Sequence, residues 1–356
     1  MESIFVGVDL HKTQFTICIL INEEVIDQGQ KYPMNDKGYH EFASYMKDLS
    51  EIRGQPVSIA IESTANARFF RDLMVKEGFR VTVVNTLRFK VVNLSTKKTD
   101  KNDARTLAEF LSKGMLPESY LCSAKSEGLR RVLKSRALMV QNSVALKNQV
   151  HAVLLAYGKI TKTAQFQSKA SRKRLLDSLP PEIKDVVGVI FGTLDTVEQQ
   201  KKDLERRLKE ITSDDENVRL LMTIPGIGVV NACTICAYID DIGRFQSFKQ
   251  FSAYCGLVPW VQASNETYKI GRITKHGPPE LRTAIIESVI AMVRMEEKTG
   301  KYVLMEQYKQ MKAEKSSGKA IVATARKLSR IIYVMLTTKT SFNPKILINR
   351  LEKSED

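Results

Sequence analysis

The stretch IFVGVD, residues 4–9, decides the fold of this chain, and VSIAIE, residues 57–62, repeats its pattern. Each run is short, apolar and rich in Val and Ile, which predicts a strand buried on both faces of a sheet. Each ends on a carboxylate, Asp9 in the first and Glu62 in the second. Such an acid can serve as a turn residue or a helix cap, but a charge at this position also predicts a site at the rim of the sheet.

The elements around these two runs indicate the architecture. FTICILIN and EVIDQGQKYP follow the first run as two more predicted strands, and a helical segment, residues 35–50, precedes the second run. The helix ARFFRDLMVKEG and the strand RVTVVN come next. A three-stranded meander followed by alternating helices and strands is typical of a ribonuclease-H-like nuclease, with a mixed-sheet α/β domain over residues 1–120.

A second pair of acids follows in TDKNDARTLAEFL, residues 99–111. Asp100 stands at the cap or first turn of a predicted helix, and Asp103, three residues later, points to the same side. Carboxylates gathered at the rim of a sheet provide the hard oxygen ligands that Mg²⁺ prefers. We therefore expect one or two Mg²⁺ ions, bound by Asp9, Glu62, Asp100 and Asp103 and used for phosphodiester chemistry.

The composition favours a polyanionic partner. The chain has 356 residues, with 55 Lys and Arg against 40 Asp and Glu, a net charge of +15. Nucleic acid is the simplest partner for that surplus, and a merely basic soluble protein is the alternative. Five scattered cysteines indicate a reducing compartment, and the lone pair Cys233 and Cys236 is expected to be core rather than a zinc site. No signal or membrane-spanning stretch is apparent, which predicts a cytoplasmic, nucleoid-associated protein without membrane contact.

The middle of the chain, residues 121–215, predicts long helices. Amphipathic segments at 127–158 and 183–211 are suited to an antiparallel helical pair or to a dimerising coiled coil. Between them, residues 159–178 are polar and strongly basic, which predicts a mobile or partner-ordered connection whose part 159–174 contacts phosphates.

The third region, residues 216–345, is predicted to be mostly helical, with a tail at 346–356. LMTIPGIGVVNACTICAYI resembles a helix-hairpin-helix, in which Gly226 and Gly228 would let the backbone approach a phosphate; a plain helical turn is the alternative. Residues 256–277 are predicted to be a polar, phosphate-contacting loop that contains Ser264, Lys269, Arg272 and Lys275.

Taken in order, VGVDLHK, IAIEST, KKTDKNDARTLAEF, TIPGIG, FSAYCGLVPW and GRITKHGPPELR resemble the DEDD insertion-sequence transposases over essentially the whole chain. That family, which includes the pilin-gene invertases, combines a RuvC-like nuclease domain with a C-terminal transposase domain that supplies a serine. Some members are guided by an element-encoded bridge RNA. Two departures are visible here: Asn265 replaces a glycine common in relatives, and Asn85-Thr86 replaces Asn-Pro.

The resemblance implies an acidic tetrad at Asp9, Glu62, Asp100 and Asp103. It also implies a nucleophile at Ser264, which follows the GLVP turn, and a basic stretch at Arg272 and Lys275. The expected activity is Mg²⁺-dependent DNA cleavage and strand exchange through a phosphoserine intermediate. The expected partners are DNA, a guide RNA and further copies of the chain in a dimer or tetramer.

Two competing classes of protein remain open from the sequence. One is a RuvC-like structure-specific nuclease, which hydrolyses DNA with metal-activated water and uses Ser264 only as a phosphate contact. The other is a nucleic-acid-binding protein with a degenerate nuclease fold, against which the presence of all four acids argues.

Overall fold

The structure is a computed structural model that describes residues 3–86, 88–89, 99–263 and 268–344. It divides into two compact units, residues 1–121 and residues 122–356. The boundary between the predicted middle and C-terminal regions, at residues 215 and 216, falls inside the second unit.

Among the residues that the structure describes, the first unit contains a five-stranded mixed sheet and the helices named below. Its elements are β1 (Ile4–Leu10), β2 (Gln14–Ile21), β3 (Glu24–Pro33), α1 (Asp36–Arg53), β4 (Val57–Glu62), α2 (Ala67–Lys76), β5 (Arg80–Val84) and α3 (Asp100–Ser112). The strand order is β3-β2-β1-β4-β5. β1 pairs antiparallel with β2 and parallel with β4, so the meander and the crossovers predicted from the sequence are confirmed.

The two faces of this sheet are covered differently. Even-numbered residues of β1 and odd-numbered residues of β4 pack with α1 and α2 in the larger core, around Phe15, Phe42 and Phe70. The opposite face is covered by α3, whose Ala104 and Ala108 contact β2 residues. Asp9 and Glu62 have the parity of this second face, so both lie on the side of the sheet that α3 covers.

The second unit is mostly helical. Its elements are α4 (Ala124–Ala156), α5 (Lys169–Asp177), α6 (Pro181–Ile211), α7 (Glu216–Met222), α8 (Val229–Ile239), α9 (Phe248–Tyr254), β6 (Pro259–Ala263), β7 (Tyr268–Ile273), α10 (Pro279–Arg294), α11 (Glu296–Thr299), α12 (Val303–Glu314) and α13 (Ser317–Thr338), with 3₁₀ turns at Thr163–Phe166 and Ile242–Arg244. A large apolar core joins α7, α8, α10, α12 and α13, and it includes Cys233 as expected.

The long helices α4 and α6 form an antiparallel pair within the chain. Arg136 pairs with Glu205 at 2.8 Å, and Lys147 pairs with Glu198 at 3.2 Å, so the partner number falls as the position along α4 rises. The sequence left open an antiparallel helical pair or a dimerising coiled coil, and the structure has the antiparallel pair.

The basic connection was predicted incorrectly. Residues 163–166 form a 3₁₀ turn, and residues 169–177 form α5. The side chain of Phe166, the last residue of the turn, is fully buried. Arg172 is only 6% exposed and pairs with Asp195 at 3.0 Å and Glu198 at 3.1 Å on α6. Buried cations need such partners because desolvation is costly. Arg172 is therefore part of the helical packing and is not available to a phosphate.

The segment predicted as a loop at 256–277 also differs from expectation. Residues 259–263 and 268–273 form the antiparallel hairpin β6–β7. Alternating side chains in PWVQA and YKIGRI suit a two-stranded ribbon, a period-2 signal that the many polar residues obscure. Among the residues that the structure describes, no helix combines the length and apolar character that a bilayer crossing requires.

Candidate metal centre and nucleic-acid interface

Asp9 and Glu62 are brought side by side by the parallel pairing of β1 and β4. The register matches Val8 with Ile61, and Asp9 and Glu62 are the next residues on their strands. Both side chains are partly buried, and the Asp9 carboxylate is 14% exposed. The rim position predicted from the two apolar runs is therefore where the structure places both acids.

Asp100 and Asp103 reach the same rim because α3 begins there. Thr99 caps the helix by accepting a hydrogen bond from the Asn102 amide, and both acids lie in the first turn. Asp100, Asp103, Ala104, Leu107 and Ala108 follow the i, i+3, i+4 spacing of one helical face. The buried part of that face packs on the sheet, so its first turn extends the two acids toward Asp9.

Gly7 determines how closely α3 approaches. A Cβ at this position would overlap the carbonyl oxygen of Ala104 and would lie 2.6 Å from the amide nitrogen of Ala108. Only a hydrogen atom fits between β1 and the helix backbone. This glycine, two residues before Asp9 on the same face of the strand, therefore sets the spacing of the acids.

His11 lies between two of the acids. Its Nε2 is 2.9 Å from Asp9 Oδ2 and 3.4 Å from Asp100 Oδ1. The backbone of His11 is fixed by the Asn66 side-chain amide, which donates to the His11 carbonyl oxygen at 3.0 Å, and Asn66 itself accepts from Thr64. The loop after β1 is thereby tied to the loop after β4.

The electrostatics of the rim favour a bound cation. Burial raises the pKa of Asp9 above its usual 3.8; His11 opposes this shift, and the negative charges of Asp103 and Asp100 add to it. A raised pKa caused by burial and neighbouring carboxylates means that the ionised cluster lacks sufficient positive charge. A divalent ion would supply that charge.

Two of the four predicted acids, Asp9 and Asp100, form with His11 a donor set that fits such an ion; among the described residues, Glu62 and Asp103 are not in this group. One ligand atom each from Asp9, His11 and Asp100 lies within 4.8 Å of the others. Two ligands on opposite sides of one Mg²⁺ are about 4.2 Å apart, so small side-chain adjustments suffice. Carboxylate oxygens suit Mg²⁺, whereas the imidazole nitrogen also suits transition metals such as Mn²⁺.

His11 is the residue of this centre that the sequence analysis missed. Its contact with Asp100 depends on a tertiary approach that local patterning does not reveal. The available signal was its position two residues after Asp9 in VDLHK, at the same strand end as the acid.

The two glycines predicted to contact phosphate have different surroundings. Gly226 has φ 89°, and a Cβ there would lie 2.7 Å from the Ser288 carbonyl oxygen and 2.9 Å from Met292 Cγ on α10. Packing alone thus requires glycine at this position. Gly228 is exposed at the N-terminal end of α8 and has open space around it, so it is the member of the pair that a ligand could approach.

The predicted basic residues lie on the hairpin and its exit. Lys269 and Arg272 belong to β7 and are exposed, as is Lys275. The exit is held in place because Arg282 Nη1 donates to the Lys275 carbonyl oxygen at 3.1 Å and the Thr274 amide donates to Val258 at 2.9 Å. Ser264, the predicted nucleophile, lies outside the described residues, and it directly follows Ala263, the last residue of β6.

Comparison with known families matches both units. Residues 6–158 match the model of the DEDD transposase domain of IS110 elements, and residues 218–304 match the model described as "Transposase IS116/IS110/IS902 family". Together the two matches cover about two thirds of the chain. The chain belongs to the IS110/IS116 family of insertion-sequence transposases.

Individual relatives carry the same description along most of their length. The transposase for insertion sequence element IS1111A of Coxiella burnetii is 25% identical, over 94% of this chain and 90% of its own length. A probable family 20 transposase of Pseudomonas aeruginosa is 25% identical, and the transposase for element IS1328 of Yersinia enterocolitica is 27% identical. Each of these two matches covers 81% of this chain and 86% of the relative.

Proposed function

We propose that this transposase cuts and rejoins DNA with a divalent ion, preferentially Mg²⁺, held by Asp9, Glu62, Asp100 and Asp103. The observation that carries the proposal is the approach of Asp9 and Asp100, 91 positions apart in sequence, to either side of His11 Nε2. A bound ion would neutralise charge at a scissile phosphate. The family membership makes that phosphate part of a DNA backbone.

The proposed nucleophile is the hydroxyl of Ser264. Its oxygen forms a bond to phosphorus as one backbone P–O bond breaks, and the departing oxygen leaves as a DNA hydroxyl after taking up a proton. A hydroxyl of another strand then attacks the phosphoserine, which releases the serine and joins the strands. A serine hydroxyl needs activation for such an attack, and the cations that follow it in sequence, Lys269, Arg272 and Lys275, would stabilise charge on the phosphate oxygens.

The proposal includes an element-encoded guide RNA and a dimer or tetramer of the chain. Two DNA ends must be held together for strand exchange, which one copy with one nucleophile does not accomplish. The net charge of +15 supports a nucleic-acid partner. Sequencing of the RNA that co-purifies with the protein, and mass measurement of the assembly, test these two parts.

A hydrolytic nuclease is the second candidate. The acids of the first unit and a bound ion would suffice for attack by water, and the cluster of Asp9, His11 and Asp100 lies in a different unit from Ser264. In that case DNA is cut without any protein-linked strand.

The two functions are separated by trapping the intermediate. End-labelled DNA containing the sequences that flank the gene is incubated with protein and Mg²⁺, and the products are resolved by denaturing electrophoresis. Wild type should yield a labelled protein adduct whose peptide map contains Ser264, and Ser264→Ala should yield none. Ser213→Ala, which removes an exposed serine after α6, is the matched control and should behave as wild type. Cleavage without an adduct establishes the nuclease instead.

A further inference from the structure

A groove of about 1250 Å³ in the second unit is lined by the β6–β7 hairpin and its exit on one side and by α13 on the other. Leu257, Ile273 and Val322 supply apolar lining. The cations that line it are Arg272, Lys275, Lys315, Lys319, Arg326 and Lys327, and Arg330 stacks on Phe248 at its edge. We refer to this feature as the basic groove.

The charge of the basic groove is not compensated. No acidic residue lines it, and none of the six cations named above forms an ion pair with a residue that the structure describes. Elsewhere, helical cations have partners: Arg105 pairs with Glu109, and Arg206 pairs with Asp203. On an ordinary solvated helix face, cations have acidic partners of this kind. This groove carries cations without acidic residues, which is the charge distribution of an anion-binding surface.

The sequence of α13 produces this asymmetry. No Asp or Glu occurs between Glu314 and Glu352. Within α13, Lys319, Val322, Arg326, Lys327 and Arg330 recur near helical spacing, so they share one face. From Lys319 to Arg330 that face extends about 16 Å at 1.5 Å per residue. This length matches about five steps of a duplex strand at 3.4 Å each.

The N-terminal end of α13 strengthens the same field. Its first turn has no acidic residue, and its cap, Ser316, makes no side-chain hydrogen bond to the helix. The positive end of a helix dipole disfavours Lys319 at this position unless an anion is present. Gly318 lines the groove and has no neighbour within 4 Å of its would-be Cβ, which leaves its backbone accessible to a phosphate.

We propose that the basic groove binds the phosphodiester backbone of the DNA strand that is presented to Ser264. The inference rests on the proposed function and adds a wall that the family match does not cover, because α13 lies beyond residues 218–304. The occupant is DNA rather than RNA because one wall is the hairpin whose two strands precede and follow the proposed nucleophile, Ser264, in sequence. Pro259 lines the groove, and Ala263, directly before Ser264, lies about 14 Å further along β6 at 3.4 Å per residue.

An exposed aromatic ring beside the groove supports a nucleic-acid partner over an acidic peptide. Trp260 on β6 is 49% exposed, and its ring lies over Gly271, which lines the groove. A base can stack on such a ring while its phosphate contacts the cations.

The test replaces two groove cations that are exposed on α13, in the variant Lys319→Gln with Arg326→Gln. The control variant, Lys202→Gln with Lys209→Gln, removes the same charge from the exposed face of α6. Binding of fluorescent duplex DNA from the gene's flanks is measured by anisotropy at several salt concentrations, with an RNA of equal length as a second probe. The groove variant should bind DNA at least tenfold more weakly, and its log K against log salt slope should be shallower by about 1.8, at about 0.9 per contact.

Wild-type DNA affinity and slope in the groove variant would overturn the proposal, and so would a loss confined to the RNA probe. If the groove variant does not fold, lysine acetylation of the wild type decides instead: DNA should protect Lys315 and Lys319 but not Lys202. The result is independent of the nucleophile, because Ser264→Ala should retain groove binding. An absent adduct with intact groove effects would reject the serine mechanism alone.

Discussion

His11 Nε2 lies 2.9 Å from Asp9 Oδ2, so the imidazole ring directly contacts the first acid of the rim. The same nitrogen is 3.4 Å from Asp100 Oδ1. Asp9, at the end of β1, and Asp100, at the start of α3, are thus connected through the imidazole ring of His11. The backbone carbonyl of His11 accepts a hydrogen bond from Asn66. We expect this ring to take part in metal binding.

Replacement of His11 tests that role directly. In wild type loaded with Mn²⁺, pulsed electron paramagnetic resonance should reveal nitrogen coupling from an imidazole ligand. His11→Ala should remove the coupling and weaken Mn²⁺ binding by about tenfold or more, the effect that partners of metal ligands produce. His40→Ala, at an exposed histidine of α1, should change neither. Unchanged affinity without any nitrogen coupling would restrict His11 to holding Asp9.

Asp9→Asn should stabilise the metal-free protein while abolishing its response to metal. Because burial raises the folded-state pKa of Asp9 above 3.8, folding favours the protonated acid. The ionised form therefore reduces stability progressively as pH rises from 3.8 through the folded pKa, and the loss is complete once the pH is above that folded pKa. We expect a melting temperature about 2–6 °C higher in chelator at pH 7.5, a gain that disappears near pH 3.5.

The control for this measurement is Asp48→Asn, which removes an exposed acid of α1. It should leave both the melting temperature and the Mg²⁺-induced increase unchanged. A destabilised Asp9→Asn protein that still gains stability from Mg²⁺ would contradict the assignment of Asp9 as a metal ligand.

Gly7→Ala should weaken metal binding although it replaces none of the proposed ligands. The added methyl group meets the backbone of α3, and such overpacking costs about 1–3 kcal/mol of unfolding free energy. The helix must shift, so we also expect weaker Mg²⁺ binding by calorimetry. Gly128→Ala in α4, where no neighbour lies within 4 Å, should instead stabilise the chain by about 0.5–1 kcal/mol. Equal metal affinity in Gly7→Ala and wild type would show that Gly7 does not set the spacing of the acids.

Arg172→Gln should destabilise the helical pair and leave DNA binding unchanged. Removal of the buried cation leaves Asp195 and Glu198 without their shared partner, and we expect a loss of about 1–3 kcal/mol in urea unfolding. Although burial alone would raise the pKa of Glu198, Lys147 and Arg172 lower it below 4.5. Its contribution is therefore present above pH 4.5 and is lost as pH falls through the lowered pKa. A shallower salt dependence of DNA binding would return Arg172 to phosphate contact.

The first unit was predictable because its signals are local. Apolar runs ending on Asp9 and Glu62 predicted two strands, and Asp100 at the cap or first turn predicted the start of α3, where the structure has Thr99 as the cap. The contact between them, however, depends on Gly7, whose role becomes visible only when α3 lies across it.

The second unit was less predictable because its charges act across helices. The basic composition of 159–178 indicated an exposed connection, but the acids that neutralise Arg172 lie on α6, more than 20 residues away. The opposite holds for α13, where the absence of acids was visible in the sequence and its importance depends on the hairpin that faces it.

The packing of α3 across Gly7 has a thermodynamic consequence. Two carboxylates of this helix occupy the same face that buries Ala104 and Ala108, so docking of the helix and capture of the ion form one coupled equilibrium. Reciprocity then holds: docking of the helix raises the metal affinity by the same factor by which a bound metal would strengthen the docking. The cellular concentration of free divalent ion would in this way set the stability of the first unit itself.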